Sequence, residues 1–579
     1  MPHADLAVLM QEFATLDTIL GANVFQVRAY ERASQTLETT PEDVEKLAKE
    51  GRIRELPGIG DGIAKKIEEF IKTGRIAALE ELRKKVDPAI LALIRIPGLG
   101  PKKAKMLVEE LGIKSVDDLE KACREEKVRP LKGMGAKSEE KILAGIASMK
   151  VTRERVPLWE AREIAAKVVE HLRLSGGATM AVATGSVRRW KESVRDLDVA
   201  TVAPDHAKLM KSAATMPGVV EVIAHGETKT SVYYGQDRFQ VDVRVVPEES
   251  YGAALQYFTG SKEHSVRLRE KAVKMGLTVN EYGVHKLKKN GEKGERIAGA
   301  SEEEVYEALG FQWIPPELRE DKGELDAFAK GKKAPRLIER ADIKGDLHCH
   351  TTWSDGTASV EEMAKAAERR HYEYVAITDH SPSAGYAGGL NADKLKRQWD
   401  EIAAVQEKFH IKILRGSEVD ILAEGKLDWP DKILEQMDFV VASIHQRGKD
   451  DREANTKRLV RALEHPCVKV IGHPSTRRLG LRPPLDIDWE AVYETAIKHG
   501  KALELNSSPE RLDLDEIKVA RASSLGIPIF IDTDAHSTGM FDNIEFGVMQ
   551  ARRAWLKPEQ VVNTKTWKEM EKWLMAGRK

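Results

Sequence analysis

Cysteine is scarce in this 579-residue chain. Cys123, Cys349 and Cys467 are scattered with no C-x-x-C pair, which excludes both a disulfide framework and a cysteine zinc site. Long apolar runs are missing too: none reaches the ~18 residues of a membrane span. The first residues, MPHADLAVLMQEF, lack the basic-then-apolar order of a signal peptide. The expectation is a cytoplasmic chain in a reducing compartment, with no membrane partner. Net charge is absent as well, with 92 basic against 93 acidic residues, so a uniformly basic nucleic-acid binder is excluded and any such binding must be local. What is present is an ordinary globular composition, 41% hydrophobic and 32% charged, on a chain long enough for several domains. Histidine is unevenly placed: ten of the 16 lie after residue 344, which directs a metal hypothesis to that region.

The N-terminal third repeats itself. ELPGIGDGIAKKIEEFIKTG (55–74), RIPGLGPKKAKMLVEELG (95–112) and PLKGMGAKSEEKILAGI (130–146) share an apolar residue, a Gly-apolar-Gly turn and an amphipathic helix. The glycine pairs Gly58 and Gly60, Gly98 and Gly100, and Gly133 and Gly135 permit a tight turn whose backbone N–H groups open onto a helix start, where phosphate is favoured. Lys65 and Lys66, or Lys102 and Lys103, follow at once. One such turn could simply join two helices; three copies resemble the helix-hairpin-helix motif, which implies sequence-tolerant, salt-dependent binding of the DNA backbone.

The next region carries carboxylates. In ATGSVRRWKESVRDLDVATVA (183–203), Asp196 and Asp198 stand two apart and share one face of a predicted strand. FQVDVRVVP (239–247) reads as a second strand presenting Asp242 between valines, where an acid is costly unless something positive meets it. Three carboxylates with open positions suit Mg²⁺ beside substrate phosphates. Upstream, the TGS turn with Arg188 and Arg189 could cradle a triphosphate.

The series GS-x-RR-x-x-E-x-x-x-D-x-D, VDVR, YFTGS (257–261) and NEY (280–282) resembles the family X DNA polymerases over roughly residues 1–315, hairpin repeats included. The resemblance implies Asp196, Asp198 and Asp242 as catalytic ligands of two Mg²⁺ ions. It implies Ser186 and Arg189 as triphosphate contacts, Tyr257, Phe258 and Gly260 as the segment against the incoming sugar of a dNTP, and Arg269 as a template contact. Lys66 matches the Schiff-base lysine of relatives with lyase activity, and Tyr30 matches another residue of that site. Gln26 and Gly62, however, stand where those relatives bind the 5′-phosphate with lysines. Two further departures are Trp190, where the family often has glycine, and Lys262, where relatives have an acid.

After 316–343, a polar stretch read as a linker, short β-rich runs alternate with helical segments, giving seven strands. Crossover helices between them imply parallel pairing and a closed or nearly closed α/β barrel. A polar residue ends each run: His348 and His350, His380, Glu418, His445, His473, then Asp534 and His536. Barrel strand ends gather at one mouth, so residues far apart in sequence form one cluster. Imidazoles with carboxylates suit Zn²⁺, Mn²⁺ or Fe²⁺. The order HCH…D…TDHS…E…IH…GHP…D-x-H resembles the polymerase-and-histidinol-phosphatase (PHP) domain over roughly 344–579. That resemblance implies a trinuclear site, with Mn²⁺ or Zn²⁺, held by His348, His350, Asp355, His380, Glu418, His445, His473, Asp534 and His536, and Glu418 bridging. Arg447, Arg477 and Arg478 nearby could hold a DNA backbone, and Cys349 and Cys467 read as packing.

The expected multidomain layout is a helical DNA-binding, lyase-like domain at 1–85 and fingers with two hairpin motifs at 86–150. An α+β nucleotidyltransferase palm at 151–252, a thumb at 253–315, the linker at 316–343 and a distorted (α/β)7 PHP barrel at 344–579 complete it. The resemblance implies gap filling on gapped or primed duplex DNA, by a nucleoid-associated monomer, with a metal-dependent 3′–5′ exonuclease in the barrel. The same barrel chemistry admits 3′-phosphatase or abasic-site endonuclease action, and charged faces leave room for other repair proteins. Two rival readings are a polymerase whose barrel is structural and a small-molecule phosphatase carrying a DNA-binding arm.

Overall fold

The structure, a computed structural model, describes residues 2–40, 44–94, 96, 99–131, 133–151, 155–447 and 451–576. The chain divides into two compact units, Met1–Glu154 with Gly235–Arg238, and Arg155–Tyr234 with Phe239–Lys579. In the first, each repeat is built as its sequence suggests. The helix Asp61–Thr73 begins after Gly60, buries Ile63, Ala64 and Ile67 on one stripe, and stops where Gly74 turns left-handed at φ 72°. Pro101 occupies the first turn of Pro101–Leu111, where its missing N–H costs nothing, and Gly112 ends it in the same left-handed way. Gly58 is favoured over other residues: its φ is +79°, and a Cβ there would lie 2.6 Å from the Arg32 Cδ, so a side chain would be strained and would have to displace the arginine. The third turn has Gly133 at φ 76° and is closed by buried Glu139, which accepts from the backbone N–H groups of Val128 (2.9 Å) and Arg129 (2.7 Å). Gly98 lies outside the described residues.

The second glycine of each pair stands at the helix start and does not itself adopt the left-handed turn conformation. Gly60 and Gly100 have extended backbone, at φ −84° and −76°, as caps of their helices. Gly135 likewise has no positive φ, and a Cβ there would meet nothing within 4 Å. Its carbonyl accepts from the Ser138 N–H at 2.8 Å and the Glu139 N–H at 3.1 Å, so Gly135 starts the helix Ala136–Val151 in a conformation open to other residues. Only Gly133 of that pair is demanded by the turn.

The second unit opens with a five-stranded sheet of β1 (Met180–Ala183), β2 (Asp196–Val202), β3 (Val219–His225), β4 (Lys229–Tyr234) and β5 (Phe239–Val245), in the order β1-β2-β5-β4-β3. The pairing of β2 with β5 is parallel and sets Asp198 opposite Asp242. Alternation puts Leu197, Val199, Val241, Val243 and Val245 into the core of this sheet. A second core gathers the helix Lys262–Lys274 and a three-stranded antiparallel sheet, β6 (Leu277–Asn280), β7 (Gly283–Leu287) and β8 (Lys293–Ala298).

Segment 316–343 is not the free linker its polarity suggests. Leu318, Leu325, Phe328 and Leu337 belong to the core of the small antiparallel sheet, and Ile338 belongs to the core of the barrel. Its charged residues are buried because each has a partner: Arg319 is fully buried against Glu302 (2.6 Å), and Glu324 against His264 (2.6 Å). The segment is a packed strap.

Beyond it, β9 (Gly345–Cys349), β10 (Tyr374–Ile377), β11 (Lys412–Asp420), β12 (Phe439–Ser443), β13 (Val470–Ile471), β14 (Ala502–Asn506) and β15 (Ile529–Asp532) pair in parallel and in sequence order. A parallel bridge between Cys349 and Ala535, with the His350 N–H on the Ala535 carbonyl at 2.8 Å, brings the last strand back to the first, as expected for a nearly closed barrel. Tyr374, Ala376, Leu414, Phe439, Val441, Ala502 and Phe530 fill the lower interior, closed off by the C-terminal helix Trp567–Met575. Intervening residues such as Val375, Ile413, Val440, Leu503 and Ile531 face the helices.

Candidate active sites

The barrel cluster follows from the same period of two. Counting in twos from the interior residues Ala376, Leu414, Phe439 and Phe530 reaches His380, Glu418, His445 and Asp534 at the strands' C-terminal ends. All nine expected residues come together. Glu418, fully buried, is the centre: its Oε2 lies 3.0 Å from His380 Nδ1, 3.5 Å from His348 Nε2 and 3.6 Å from His350 Nε2. Its Oε1 lies 2.8 Å from His473 Nε2 and 3.2 Å from His445 Nε2. Asp534 stands 3.1 Å from His350 Nε2, and Asp355 stands 3.4 Å from His536 Nε2 and 3.5 Å from His380 Nε2.

Three overlapping groups can each hold an ion: His350, Asp355, His380 and His536; His348, His350, Glu418 and Asp534; and His380, Glu418 and His445. The fit is tested by buried polar atoms that crowd together without forming an aligned hydrogen bond. Both oxygens of Glu418, both ring nitrogens of His350 and of His473, His348 Nε2 and His380 Nδ1 are all in that position. So many orphaned donors and acceptors around one point suit metal ligation. Burial opposes the imidazolium form and prevails at His350, which falls to about 3, and at His473, which is lowered, whereas Glu418 and its neighbouring carboxylates push His380 up to about 10 and His445 to about 9. The cluster therefore calls for positive charge, which cations can supply in place of protons.

Several residues that orient this cluster escaped sequence reasoning. Glu504 accepts from His348 Nδ1 at 2.6 Å and from the His473 N–H, which aims the other His348 nitrogen at the cluster. Asp420 does the same for His445 Nδ1 at 3.0 Å. Asp379 pins the loop that carries Asp355 by accepting from the Thr351 N–H (2.8 Å) and hydroxyl (2.6 Å). A signal existed: Glu504 is an acid between leucines of a buried strand, the very pattern that singled out Asp242.

Arg477, expected to hold DNA, is buried and bound to Glu192 (2.8 Å) and to the carbonyls of Arg511 and Leu512. Arg478 pairs with Glu510, and Arg447 donates to the Pro483 carbonyl. Cys349 and Cys467 pack in or against the barrel core, as read from sequence.

In the β1–β5 sheet, register places Asp198 beside Asp242 with Asp196 two residues upstream. Burial, then repulsion from Asp196 and Asp242, pushes Asp198 up to about 6. Asp196 is raised by burial and by Asp242. Burial works against the Asp242 carboxylate too, but the Lys229 ammonium at 2.6 Å overrides it and holds that group low. A carboxylate set that already draws in one cation and repels itself fits divalent ions bound through oxygen.

Gly185 has φ +63°, which favours glycine, and the turn lies against both neighbours: a Cβ there would make ordinary contact with Asp198 Oδ2 at 3.4 Å and with the Phe258 carbonyl at 3.9 Å. The phosphate-type turn, the aspartates and the YFTG segment thus converge. Tyr257 and Phe258 meet edge to face at 5.2 Å, and the Arg244 guanidinium lies 4.8 Å from the Phe258 ring. Ser186 is partly open, and Lys262 and Arg269 are exposed. Arg188 and Arg189 are not open to a ligand as expected: Arg188 is bidentate to Glu302 (2.7 and 2.8 Å), and Arg189 binds Glu320 (3.0 Å) and the Thr259 carbonyl. Half-buried guanidinium groups need fixed partners, and these use them to bolt the loop down.

In the first unit, the expected DNA-facing glycines are not equally accessible. Gly58, Gly60, Gly100 and Gly133 are exposed, whereas Gly135 is partly buried and offers a phosphate less of its backbone than the sequence reading assigned to it. Lys66 donates to the Gly62 carbonyl (3.1 Å) and stands 5.7 and 5.8 Å from the stacked rings of Phe13 and Tyr30.

Two clusters of candidate cation ligands stand on one chain, an all-carboxylate set and an imidazole-carboxylate set around Glu418, and ligand sets of these two kinds suit metal-dependent chemistry on phosphate esters. Residues 1–76 match the helix-hairpin-helix domain, 90–148 the SAM-like helix-hairpin-helix tandem, 254–320 the DNA polymerase beta thumb and 346–508 the PHP domain. The chain is 39% identical over 577 residues, 99% of both chains, to the DNA polymerase/3'-5' exonuclease PolX of Bacillus subtilis (strain 168). It is also 31% identical over 238 residues, 39% of this chain and 92% of the other, to a protein named "Probable phosphatase" of Thermoanaerobacter sp. (strain X514). A similar protein of Caldanaerobacter subterraneus is 32% identical over 228 residues, 37% of this chain and 83% of its own length. The chain belongs to the PolX family of family X DNA polymerases that carry a PHP domain.

Proposed function

We propose that the chain fills short gaps in duplex DNA during repair and trims 3′ ends with its barrel, acting as a monomer on gapped or primed duplex. The observation that carries this reading is the coexistence of an all-carboxylate site on the palm-like sheet with three overlapping imidazole-carboxylate groups around Glu418. Asp196, Asp198 and Asp242 would hold Mg²⁺, which supplies a lowered pKa at the primer 3′-hydroxyl and charge neutralisation at the departing pyrophosphate. Ser186 and the backbone at Gly185 face the triphosphate. Tyr257, Phe258 and Gly260 form the surface against the sugar, and Arg269 reaches the template. The glycine turns at Gly58 and Gly60, at Gly100 and at Gly133 grip the DNA backbone, with Gly135 serving mainly to start the helix behind the third turn.

In the barrel, the nine ligands would hold Mn²⁺ or Zn²⁺ as a trinuclear cluster, which supplies hydroxide at neutral pH and charge for the phosphate oxygens. Glu504 and Asp420 keep His348 and His445 in the ligating tautomer. We keep the domain limits of the sequence reading as part of this proposal, except that 316–343 serves as a packed strap and not as a linker. The similarity to proteins named as phosphatases also favours removal of a 3′-phosphate by the same site.

The test is labelled-primer extension and degradation by the wild type, Asp242→Ala and His350→Ala, on primers ending in hydroxyl or phosphate. Asp242→Ala should lose extension alone and His350→Ala degradation alone. Loss of both activities in each variant would contradict two separate sites, and absence of extension by the wild type would leave the phosphatase reading in its place.

A further inference from the structure

The loop expected to face the triphosphate is held from its far side by the barrel. Trp190, the residue that departs from the family's glycine, has φ +57°, a conformation that a bulky L-residue adopts only when its surroundings fix it. Its ring lies 3.7 Å from the Arg162 guanidinium and meets the Phe546 ring edge-on at 5.6 Å. Its carbonyl accepts from Gln550 Nε2 at 2.8 Å. The preceding carbonyl, that of Arg189, accepts from Arg553, which is buried and also binds Glu320 at 3.1 Å. Phe546, Gln550 and Arg553 all stand on one barrel helix, Ile544–Arg553, at spacings of four and three that put them on one face.

On the loop's other flank, Glu192 pairs with Arg477, four residues beyond His473. Glu192 in turn precedes Asp196 by four. The segment between the triphosphate turn and the first metal aspartate is therefore shaped by contacts from outside the polymerase portion.

We infer that helix Ile544–Arg553 is a positioning element for nucleotide binding: Phe546 and Gln550, acting through Trp190, hold loop 185–192 in the shape that receives the dNTP triphosphate. This rests on the polymerase reading above. Neither side chain touches substrate. Their effect falls on affinity for the incoming nucleotide, because the loop they hold begins at Gly185 and Ser186. None of the barrel's nine candidate ligands lies on this helix, so degradation by the barrel serves as the control that separates an effect on the loop from a general loss of fold. Trp190 is thus no defect of the family pattern; a glycine there would accept φ +57° without strain but would offer no ring to dock.

The experiment is steady-state gap filling across a dNTP series by full-length wild type, Phe546→Ala, Gln550→Ala and Phe546→Tyr. Primer degradation is measured on the same preparations. Expected are a dNTP KM raised about fivefold or more in Phe546→Ala, a smaller rise in Gln550→Ala and near-normal KM in Phe546→Tyr, with unchanged degradation in all three. If KM stays at the wild-type value in Phe546→Ala, or extension and degradation fall together at constant KM, the helix is only structural and the inference is overturned. A wild-type chain that extends no primer would overturn the polymerase reading and this inference together. Extension by the wild type with unaltered KM in the variants would overturn the inference alone.

Discussion

Glu504→Gln is the sharpest probe of the barrel's metal chemistry, because it changes one buried atom beyond the ligands. Glu504 is 1% exposed and spends both oxygens: Oε1 accepts from His348 Nδ1 at 2.6 Å, and Oε2 accepts from the His473 N–H and from Asn506 Nδ2 at 3.1 Å. A glutamine keeps the shape but has one acceptor oxygen. If its NH₂ faces His473 and Asn506, donor meets donor in a dry interior. If the NH₂ faces His348, Nδ1 must become the acceptor, and the ring proton moves to Nε2, the nitrogen 3.5 Å from Glu418. In both arrangements the cluster loses a well-oriented lone pair or a well-placed backbone. Loss of such an orienting partner weakens metal binding about 10–100-fold, or roughly 1.4–2.7 kcal/mol. Metal content after dialysis against graded chelator measures this directly: Glu504→Gln should lose its ions at chelator concentrations lower by that factor, with primer extension intact. An unshifted chelator midpoint would refute the role given to His348 as a ligand aimed by Glu504.

Other outcomes follow from the buried charges of the second unit. Burial opposes ionisation of Glu302 and Glu320, but Arg319 and Arg188, and Arg553, Lys191 and Arg189, override it and hold each down to about 2, from a usual 4.5. A depressed folded-state value gives stability that is complete above about pH 4.5 and is lost as pH falls toward 2, about 3 kcal/mol for each group. Melting temperatures should therefore drop between pH 5 and 3, and Glu302→Gln, less stable at pH 6, should be less acid-sensitive over that interval; equal sensitivity would contradict the assignment. Arg477→Ala should destabilise by about 2 kcal/mol, since it leaves Glu192 and two carbonyls without their donor, while the salt dependence of DNA binding stays as in the wild type. A reduced salt slope would return Arg477 to the DNA surface. Lys262 puts an exposed ammonium directly after YFTGS, where relatives have an acid, and we propose that it attracts a dNTP before metal is bound; Lys262→Ala should then weaken dNTP binding measured in chelator, and unchanged affinity would dismiss that role.

Much of the site was legible because it obeys short-range geometry. Parity along a strand puts Asp196 and Asp198 on one face, and parity from the apolar floor of the barrel leads to His380, Glu418, His445 and Asp534 at one rim. The hairpin turns were legible for the same reason, since Gly58 and Gly133 need a positive φ that the sequence announces. Gly135 shows the limit of that signal: the same letter two positions on marks a helix start that other residues could occupy. Residues such as Arg189, Arg477 and Lys229 were not readable in this way. Whether an arginine meets a phosphate or a carboxylate depends on partners such as Glu320 and Glu192, and neither pairing leaves a period in the chain. The strap was misread because its polarity was taken for solvent exposure, whereas Arg319 and Glu324 are charges neutralised in the interior.

That misreading points to how the second unit is held together. Glu320 binds Arg189 at 3.0 Å and Arg553 at 3.1 Å, while Glu516 binds Arg553 and, at 3.0 Å, Lys322. Residues of the 185–192 loop, the strap and the barrel are thereby tied into one network. Apolar packing could bury the same area, but it tolerates sliding, and the triphosphate role proposed for the loop would require its placement to within a fraction of an ångström. Paired buried charges are strongly penalised when misaligned, because a shift strands an ion in the interior. A network of this kind therefore favours one seating of the loop over its neighbours even if its net stabilisation is small, and that is the property a nucleotide-binding turn requires.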